Sequence, residues 1–143
     1  MKISADWLNS PSTRSVMKIL VSRGYRAYFV GGCVRNALLN IESKDIDIAT
    51  NAHPKEVLEI MENAGLKALP TGIEHGTVTV VADKRNYEIT TLREDIETDG
   101  RRAKVKFTKS ILEDAKRRDF SINAIYSEQD GTILDPLNGI DDI

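Results

Sequence analysis

The sequence predicts an α+β domain, a mostly antiparallel or mixed sheet with helices packed against it. Segments of helical periodicity, opened by Ser-Pro or Pro and closed by glycine, alternate with short apolar runs of strand character. Further along, "GTVTVVAD" and "NYEITTL" alternate apolar and polar residues on either side of a short polar stretch, as the arms of a β-hairpin do. The 143 residues suffice for one core and are short for two, so residues 1–143 are expected to form a single domain.

Each element has its own signal. Ser10 and Pro11 read as the N-cap and first residue of a helix that runs through Val16, Met17, Ile19, Leu20 and Val21 and stops at Gly24. "AYFV", Ala27 to Val30, is a short apolar strand ending at Gly31 and Gly32, and "CVRNALLN" reads as the next helix. A strand follows that carries Asp45 and Asp47 between isoleucines. Pro54 then opens a helix with Val57, Leu58, Ile60 and Met61 on one stripe, closed by Gly65. After the hairpin, whose turn is expected near "KRN", Arg93 to Lys104 is charged and contains Gly100, which predicts a mobile loop before a strand at Val105 to Phe107. Ile111 to Arg118 reads as helix, and the run from Asp119 through Tyr126 is expected to continue it after a bend.

Composition narrows the function classes. With 41% apolar residues the chain has enough to build a core, and no apolar run approaches the roughly 18 residues that cross a membrane. The N-terminal "MKISADWLNS" turns polar too early for a signal peptide, so a soluble, cytoplasmic protein with no membrane partner is expected. The one cysteine, Cys33, cannot form an internal disulfide, and His53 and His75 lack metal-site spacing. A net charge of −2 excludes gripping nucleic acid by bulk electrostatics, so any such contact must be local.

Four constellations carry chemistry. In "SKDIDIAT", Asp45 and Asp47 project from the strand face opposite Ile46 and Ile48, about 6.6 Å apart along the backbone. Asp is a poor strand former and two like charges on one face repel, so a shared divalent cation such as Mg²⁺ would relieve them. The spacing alone equally admits an amphipathic strand with a solvated acidic face. In "YEIT", Glu88 shares a face with Thr90, and on a neighbouring strand it would add a third carboxylate of the kind that two-metal phosphoryl-transfer sites use; by itself it is also an ordinary exposed strand residue. In "FVGGCVR", paired glycines between strand and helix leave backbone N–H groups free to approach an anion, with Arg35 on the first turn; a purely structural turn reads the same way. In "EDAKRRDFSINA", Arg117, Arg118, Asp119 and Asn123 stand beside Phe120 and Ile122, which are expected to anchor them to the core, although a charged helix end is commonly just solvated.

Taken in order, these blocks closely resemble the N-terminal catalytic head of the class II tRNA nucleotidyltransferase and poly(A) polymerase family. The match runs from about Arg26 to the end and rests on "VGGCVRNALL", "KDIDIATNAHPKEV", "TGIEHGTVTVV", "YEITTLRED" through "DGRRAKVKF", "EDAKRRDFSINAIY" and "DPLNGIDDI". The resemblance implies the polymerase β-like nucleotidyltransferase fold, with residues 1–25 as an N-terminal helix and 26–143 as the catalytic core. It implies Asp45 and Asp47 as the metal pair, binding Mg²⁺ or Mn²⁺, and Glu88 as the supporting catalytic carboxylate. Gly31, Gly32, Arg35 and Arg118 would hold the triphosphate of CTP or ATP, and Arg117, Asp119 and Asn123 complete the nucleotide-binding set.

"TGIEHGTVTVV" is similar to the CCA-adding branch of that family rather than to bacterial poly(A) polymerases, and Asp95 to Arg102 resembles the flexible loop used in switching from CTP to ATP. Where the family usually reads "VRD", this chain has Val34, Arg35 and Asn36, so a neutral amide should hold Arg35 less firmly. Family members continue through neck, body and tail domains that read the base and grip the tRNA 3′ end, and these are not expected within residues 1–143. A poly(A) polymerase of the same family and a non-catalytic nucleotide-binding module are the rival readings; keeping Asp45, Asp47 and Glu88 together speaks against the second.

Overall fold

The structure is a computed structural model and describes residues 1–98 and 102–143, with side chains described outside 96–105. A single 3₁₀ turn at Asp6–Asn9 precedes α1 (Pro11–Ser22), β1 (Ala27–Val30), α2 (Gly32–Leu38), β2 (Ile46–Thr50) and α3 (Pro54–Asn63). Then come β3 (Lys67–Gly72), β4 (Thr77–Ala82), β5 (Arg85–Thr91), β6 (Arg93–Thr98), β7 (Arg102–Phe107), α4 (Ile111–Lys116), β8 (Tyr126–Ser127) and β9 (Ile133–Leu134). Seven strands form one sheet in the order β3-β4-β5-β2-β1-β8-β9, while β6 and β7 form a separate two-stranded ribbon. Neighbours in the large sheet pair antiparallel except β2 and β5, which run parallel, so the sheet is mixed as expected.

Local chemistry explains the boundaries. The Ser10 hydroxyl accepts the N–H of Thr13 at 3.3 Å, and Pro11 occupies the first helical position, where its missing N–H costs nothing. At the start of α3 the Glu56 carboxylate accepts the N–H of His53 at 2.9 Å, half of a capping box, and Pro54 follows. Asp83 and Lys84 both have positive φ, so the β4–β5 turn is a two-residue primed turn. It sits one or two residues earlier than the sequence reading put it.

Two apolar layers sandwich the sheet. On one face Ile46 and Ile48, both fully buried, join Phe29, Val78, Val80, Tyr87 and Ile89 against Val16, Met17 and Leu20 of α1, Val34 of α2, and Val57 and Met61 of α3. The Tyr87 hydroxyl is shared with Ser12 Oγ at 2.6 Å and Thr13 Oγ1 at 2.8 Å, which satisfies a buried polar group and ties β5 to α1. On the opposite face a smaller cluster of Val30, Ala49, Leu92, Ala115, Ala124 and Tyr126 seats α4. The period-2 alternation of β2 and β5 therefore sends apolar side chains to the large core and Asp47 and Glu88 to the other side.

Three expectations are corrected. Arg93–Thr98 and Arg102–Phe107 pair antiparallel rather than forming a loop, since Thr, Ile, Val and Phe alternate with charges there. Of the expected loop, residues 99–101 lie outside the described residues. The run after α4 does not continue the helix: it makes a 3₁₀ turn at Ser121–Asn123 and then β8, because Tyr126 and Ser127 extend the sheet beside β1. Phe120 does not anchor to the core, being 64% exposed; the buried anchors are Ala115, Ala124, Ile125 and Tyr126. The sequence reading also passed over β3, an edge strand that is largely exposed and interrupted by Pro70, where the missing N–H is tolerated.

Candidate active site

Gly31 ends β1 with φ +79° and ψ −137°, a conformation that glycine adopts without strain, and it lets the chain turn directly into α2. A Cβ built on it would lie 3.6 Å from Asp47 Oδ2, 3.9 Å from Arg118 Nη1 and 3.9 Å from the carbonyl oxygen of Asn123. One point beside the glycine turn is thus within 4 Å of three of the four constellations. Cys33, on the first turn of α2, is buried and its thiol is pushed up to about 12 by burial, so it is an inert packing group.

Asp47 and Glu88 are in register across the parallel β2–β5 pair. Burial first, and then the Glu88 carboxylate, push the Asp47 carboxyl up to about 6; Arg118 opposes the shift and Asp45 adds to it. Asp45 lies one residue before β2 and is exposed, as is Glu88, while Asp47 is half-buried. Glu88, in register with Asp47, and Asp45, two residues before it, both act on the Asp47 carboxyl. Among the described residues no three His, Cys, Asp or Glu side chains close into a cage for an ion. The donors are all carboxylate oxygens, which fit a hard cation that completes its shell with substrate oxygens and water.

Arg35 is held by neutral oxygens. Its Nη1 donates to Asn123 Oδ1 at 3.0 Å, and its Nε and Nη2 make long contacts of 3.4 Å to Asn36 Oδ1. Asn36 Nδ2 in turn donates to Ser43 Oγ at 3.0 Å. The amide that stands where the family usually has Asp still supplies an acceptor, and Asn123 supplies a second. Arg35 makes no ion pair among the described residues, which leaves its charge free for an anion.

Arg117 and Arg118 share one carboxylate that sequence reasoning missed. Asp114, 1% exposed, accepts from Arg117 Nε at 3.1 Å and Arg118 Nη2 at 3.3 Å, and Arg118 also lies over the Tyr126 ring, 5.8 Å from its centroid. The i,i+3 and i,i+4 spacing of Asp114 to the two arginines was the available signal. Asp119, by contrast, is exposed and makes no side-chain hydrogen bond or ion pair among the described residues. A cavity of about 550 Å³ opens elsewhere, lined by Trp7, Asn40, Lys44, Lys84 and Arg85 among others, and none of the carboxylates or arginines above borders it.

The fold and this geometry agree with a family model, the poly A polymerase head domain, which matches residues 27–143. The chain belongs to that family. Among curated relatives it is 48% identical over 130 residues to a CCA-adding enzyme of Oceanobacillus iheyensis, which covers 90% of this chain and 32% of that protein. A CCA-adding enzyme of Streptococcus sanguinis is 45% identical over 130 residues, with the same coverage. Among solved structures, the Bacillus stearothermophilus CCA-adding enzyme in complex with CTP superposes with a TM-score of 0.78 at 41% identity, over 92% of this chain and 31% of that one. A tRNA nucleotidyltransferase complexed with a primer tRNA and an incoming ATP analog superposes with a TM-score of 0.68 at 32% identity, over 89% and 36%. The head therefore has the nucleotidyltransferase fold, and the chain spans about a third of the length of the curated relatives it matches.

Proposed function

We propose that this chain is the catalytic head of a template-independent RNA nucleotidyltransferase that adds CMP and AMP to the 3′ end of tRNA. The observation that carries the reading is the convergence of Asp47, Gly31 and Arg118 on one point, with Glu88 in register beside Asp47. In the reaction the terminal 3′ hydroxyl attacks the α-phosphate of CTP or ATP in line, the bond to the β-phosphate breaks, and pyrophosphate leaves. Arg118 Nη1 and Arg35 hold the β and γ phosphates from two sides, and the Gly31–Gly32 turn admits them close to the backbone. Asp45 and Asp47, supported by Glu88, would hold Mg²⁺ or Mn²⁺, which would supply acidification of the attacking hydroxyl and relief of the charge that develops during transfer. Asn123 keeps Arg35 in place, and Arg117 adds positive charge behind Arg118.

In this reading residues 1–143 act as one head, with 1–25 bracing the core residues 26–143, while base choice and the grip on tRNA come from further domains. The 45–48% identity to CCA-adding enzymes favours tRNA as the acceptor over poly(A) synthesis. Among the described residues no helix is long and apolar enough to cross a membrane. The test incubates the polypeptide that carries this head in the cell with tRNA lacking its terminal CCA, supplies each labelled nucleotide in turn, and sequences the product ends. Addition of C, C and then A is expected. Runs of A alone would make it a poly(A) polymerase, and no extension would make it a non-catalytic nucleotide-binding module.

A further inference from the structure

One buried carboxylate stands between the phosphate-facing arginines and the base of the β6–β7 ribbon. Asp114 Oδ1 accepts Arg117 Nε at 3.1 Å and the backbone N–H of Arg93 at 3.0 Å, and Oδ2 accepts Arg118 Nη2 at 3.3 Å and the Tyr126 hydroxyl at 2.5 Å. Four donors, two from the residues that follow α4 and one each from β6 and β8, fill the acceptor capacity of one side chain. Two guanidinium groups and one carboxylate leave the cluster with a surplus positive charge. Arg118 is gripped through Nη2, while its other amino group, Nη1, is the one that faces Gly31 and Asp47. The ring of Tyr126 lies beneath the same guanidinium.

The ribbon is fastened at the same place. Arg93 is the first residue of β6, and besides its N–H to Asp114 it donates from Nη1 to the carbonyl oxygen of His75 at 2.7 Å. Phe107, the last residue of β7, lies edge-on to His53 at 4.8 Å and so close to Gly76 that a Cβ there would fall 2.8 Å from its ring. Both strands of the ribbon are therefore seated on the main body at its base, where Arg93 pairs with Phe107, and Arg93 shares its acceptor with Arg118.

We propose that Asp114 is a positioning residue that aims Arg118 Nη1 at the phosphates of the incoming nucleotide and fixes the start of the β6–β7 ribbon to the same point. This rests on the reading of Arg118 as a triphosphate ligand. Removing the charge on Asp114 should release both Arg118 and the Arg93 end of the ribbon, whereas an ion pair that serves folding alone would lower stability without touching nucleotide binding selectively.

The experiment uses this chain as wild type, Asp114→Asn, Arg118→Ala and the double variant. Calorimetric titration with CTP and with cytidine in Mg²⁺ is combined with NMR of the arginine Nε–H groups and hydrogen exchange at the Arg93 amide. The expected result is that Asp114→Asn, still folded by circular dichroism, loses about tenfold in CTP affinity and little for cytidine. The double variant should then bind CTP no worse than Arg118→Ala. Full additivity of the two losses, or unchanged CTP affinity in folded Asp114→Asn, overturns the proposal. If wild type fails to bind CTP, the functional reading falls instead, and the positioning claim is decided by NMR: a restrained Arg118 side chain and a protected Arg93 amide in wild type support it. Free rotation of Arg118 in wild type contradicts it, and that measurement stands even if Asp114→Asn does not fold.

Discussion

Asp47 and Glu88 occupy paired positions on the parallel strands β2 and β5, so two carboxylates share one face of the sheet a strand spacing apart. Such a spacing is about 4.8 Å, close enough for their charges to oppose each other in a half-buried setting. The consequence is an Asp47 carboxyl held up at about 6, by burial first and Glu88 second.

The first prediction concerns stability without metal. The folded-state value for Asp47, about 6, exceeds the unfolded value near 3.9, so the folded chain holds this proton more tightly. Its stabilising contribution is complete below about pH 4 and is lost as pH rises through about 6. Asp47→Asn should therefore match wild type at low pH and exceed it at pH 7.5 by on the order of 1–2 kcal/mol in metal-free urea melts, allowing for partial solvent screening. A variant less stable than wild type at pH 7.5 would mean that the Asp47 charge is favourably paired.

Asp114 should act with the opposite sign. Burial raises its carboxyl, but Arg118, Arg117, the Tyr126 hydroxyl and the Arg93 N–H together outweigh that and leave it below the ordinary carboxylate value. Its contribution is present above the unfolded value and disappears as pH falls through the lower folded one. Wild type should lose its advantage over Asp114→Asn as pH falls below about 4 in acid unfolding followed by circular dichroism. An advantage that persisted unchanged to the lowest pH would show that the carboxylate charge is not what holds the cluster.

Gly31→Ala tests the turn. The nearest atoms leave room for a methyl group, so its cost is backbone strain at positive φ, about 1–3 kcal/mol. Thermal melts should show that loss, and an unchanged melting temperature would mean that the turn relaxes freely.

What was legible in the sequence follows from how local each signal is. The Ser10–Pro11 start, the Gly31–Gly32 turn and the Ile46/Ile48 alternation each depend on a few adjacent residues, and the structure places all three as read. The Asp47–Glu88 juxtaposition depends also on their strands being neighbours, which is not a local property, and β2 and β5 do pair directly. The β6–β7 ribbon was hidden because its alternating residues are largely charged, which reads as loop. The role of Asp114 depends on a hydrogen bond from Arg93, 21 residues away, and no local pattern announces that. Phe120 misled because an aromatic beside charged residues suggests an anchor, yet its ring is exposed and the burial is carried by Tyr126.

The head alone should not choose between bases. The contacts proposed for it are with phosphate and metal, and selectivity by hydrogen bonding needs buried partners that a wrong base would leave unsatisfied. Titration of this chain with CTP, ATP, GTP and UTP in Mg²⁺ should give affinities within a few-fold of one another. A preference above roughly tenfold, about 1.4 kcal/mol, for CTP and ATP would place base recognition inside the head.

The most direct test of the account is the cation dependence of triphosphate binding at Asp45 and Asp47. Calorimetry of the chain with CTP is run in Mg²⁺ and in excess chelator, for wild type, Asp45→Ala and Asp47→Ala, each checked for an intact fold by circular dichroism. The account predicts that chelator and either substitution weaken CTP binding by at least about tenfold, and that Mg²⁺ no longer improves binding in the variants. Equal CTP affinity with and without Mg²⁺ in wild type, or full Mg²⁺ dependence retained in both folded variants, would contradict it.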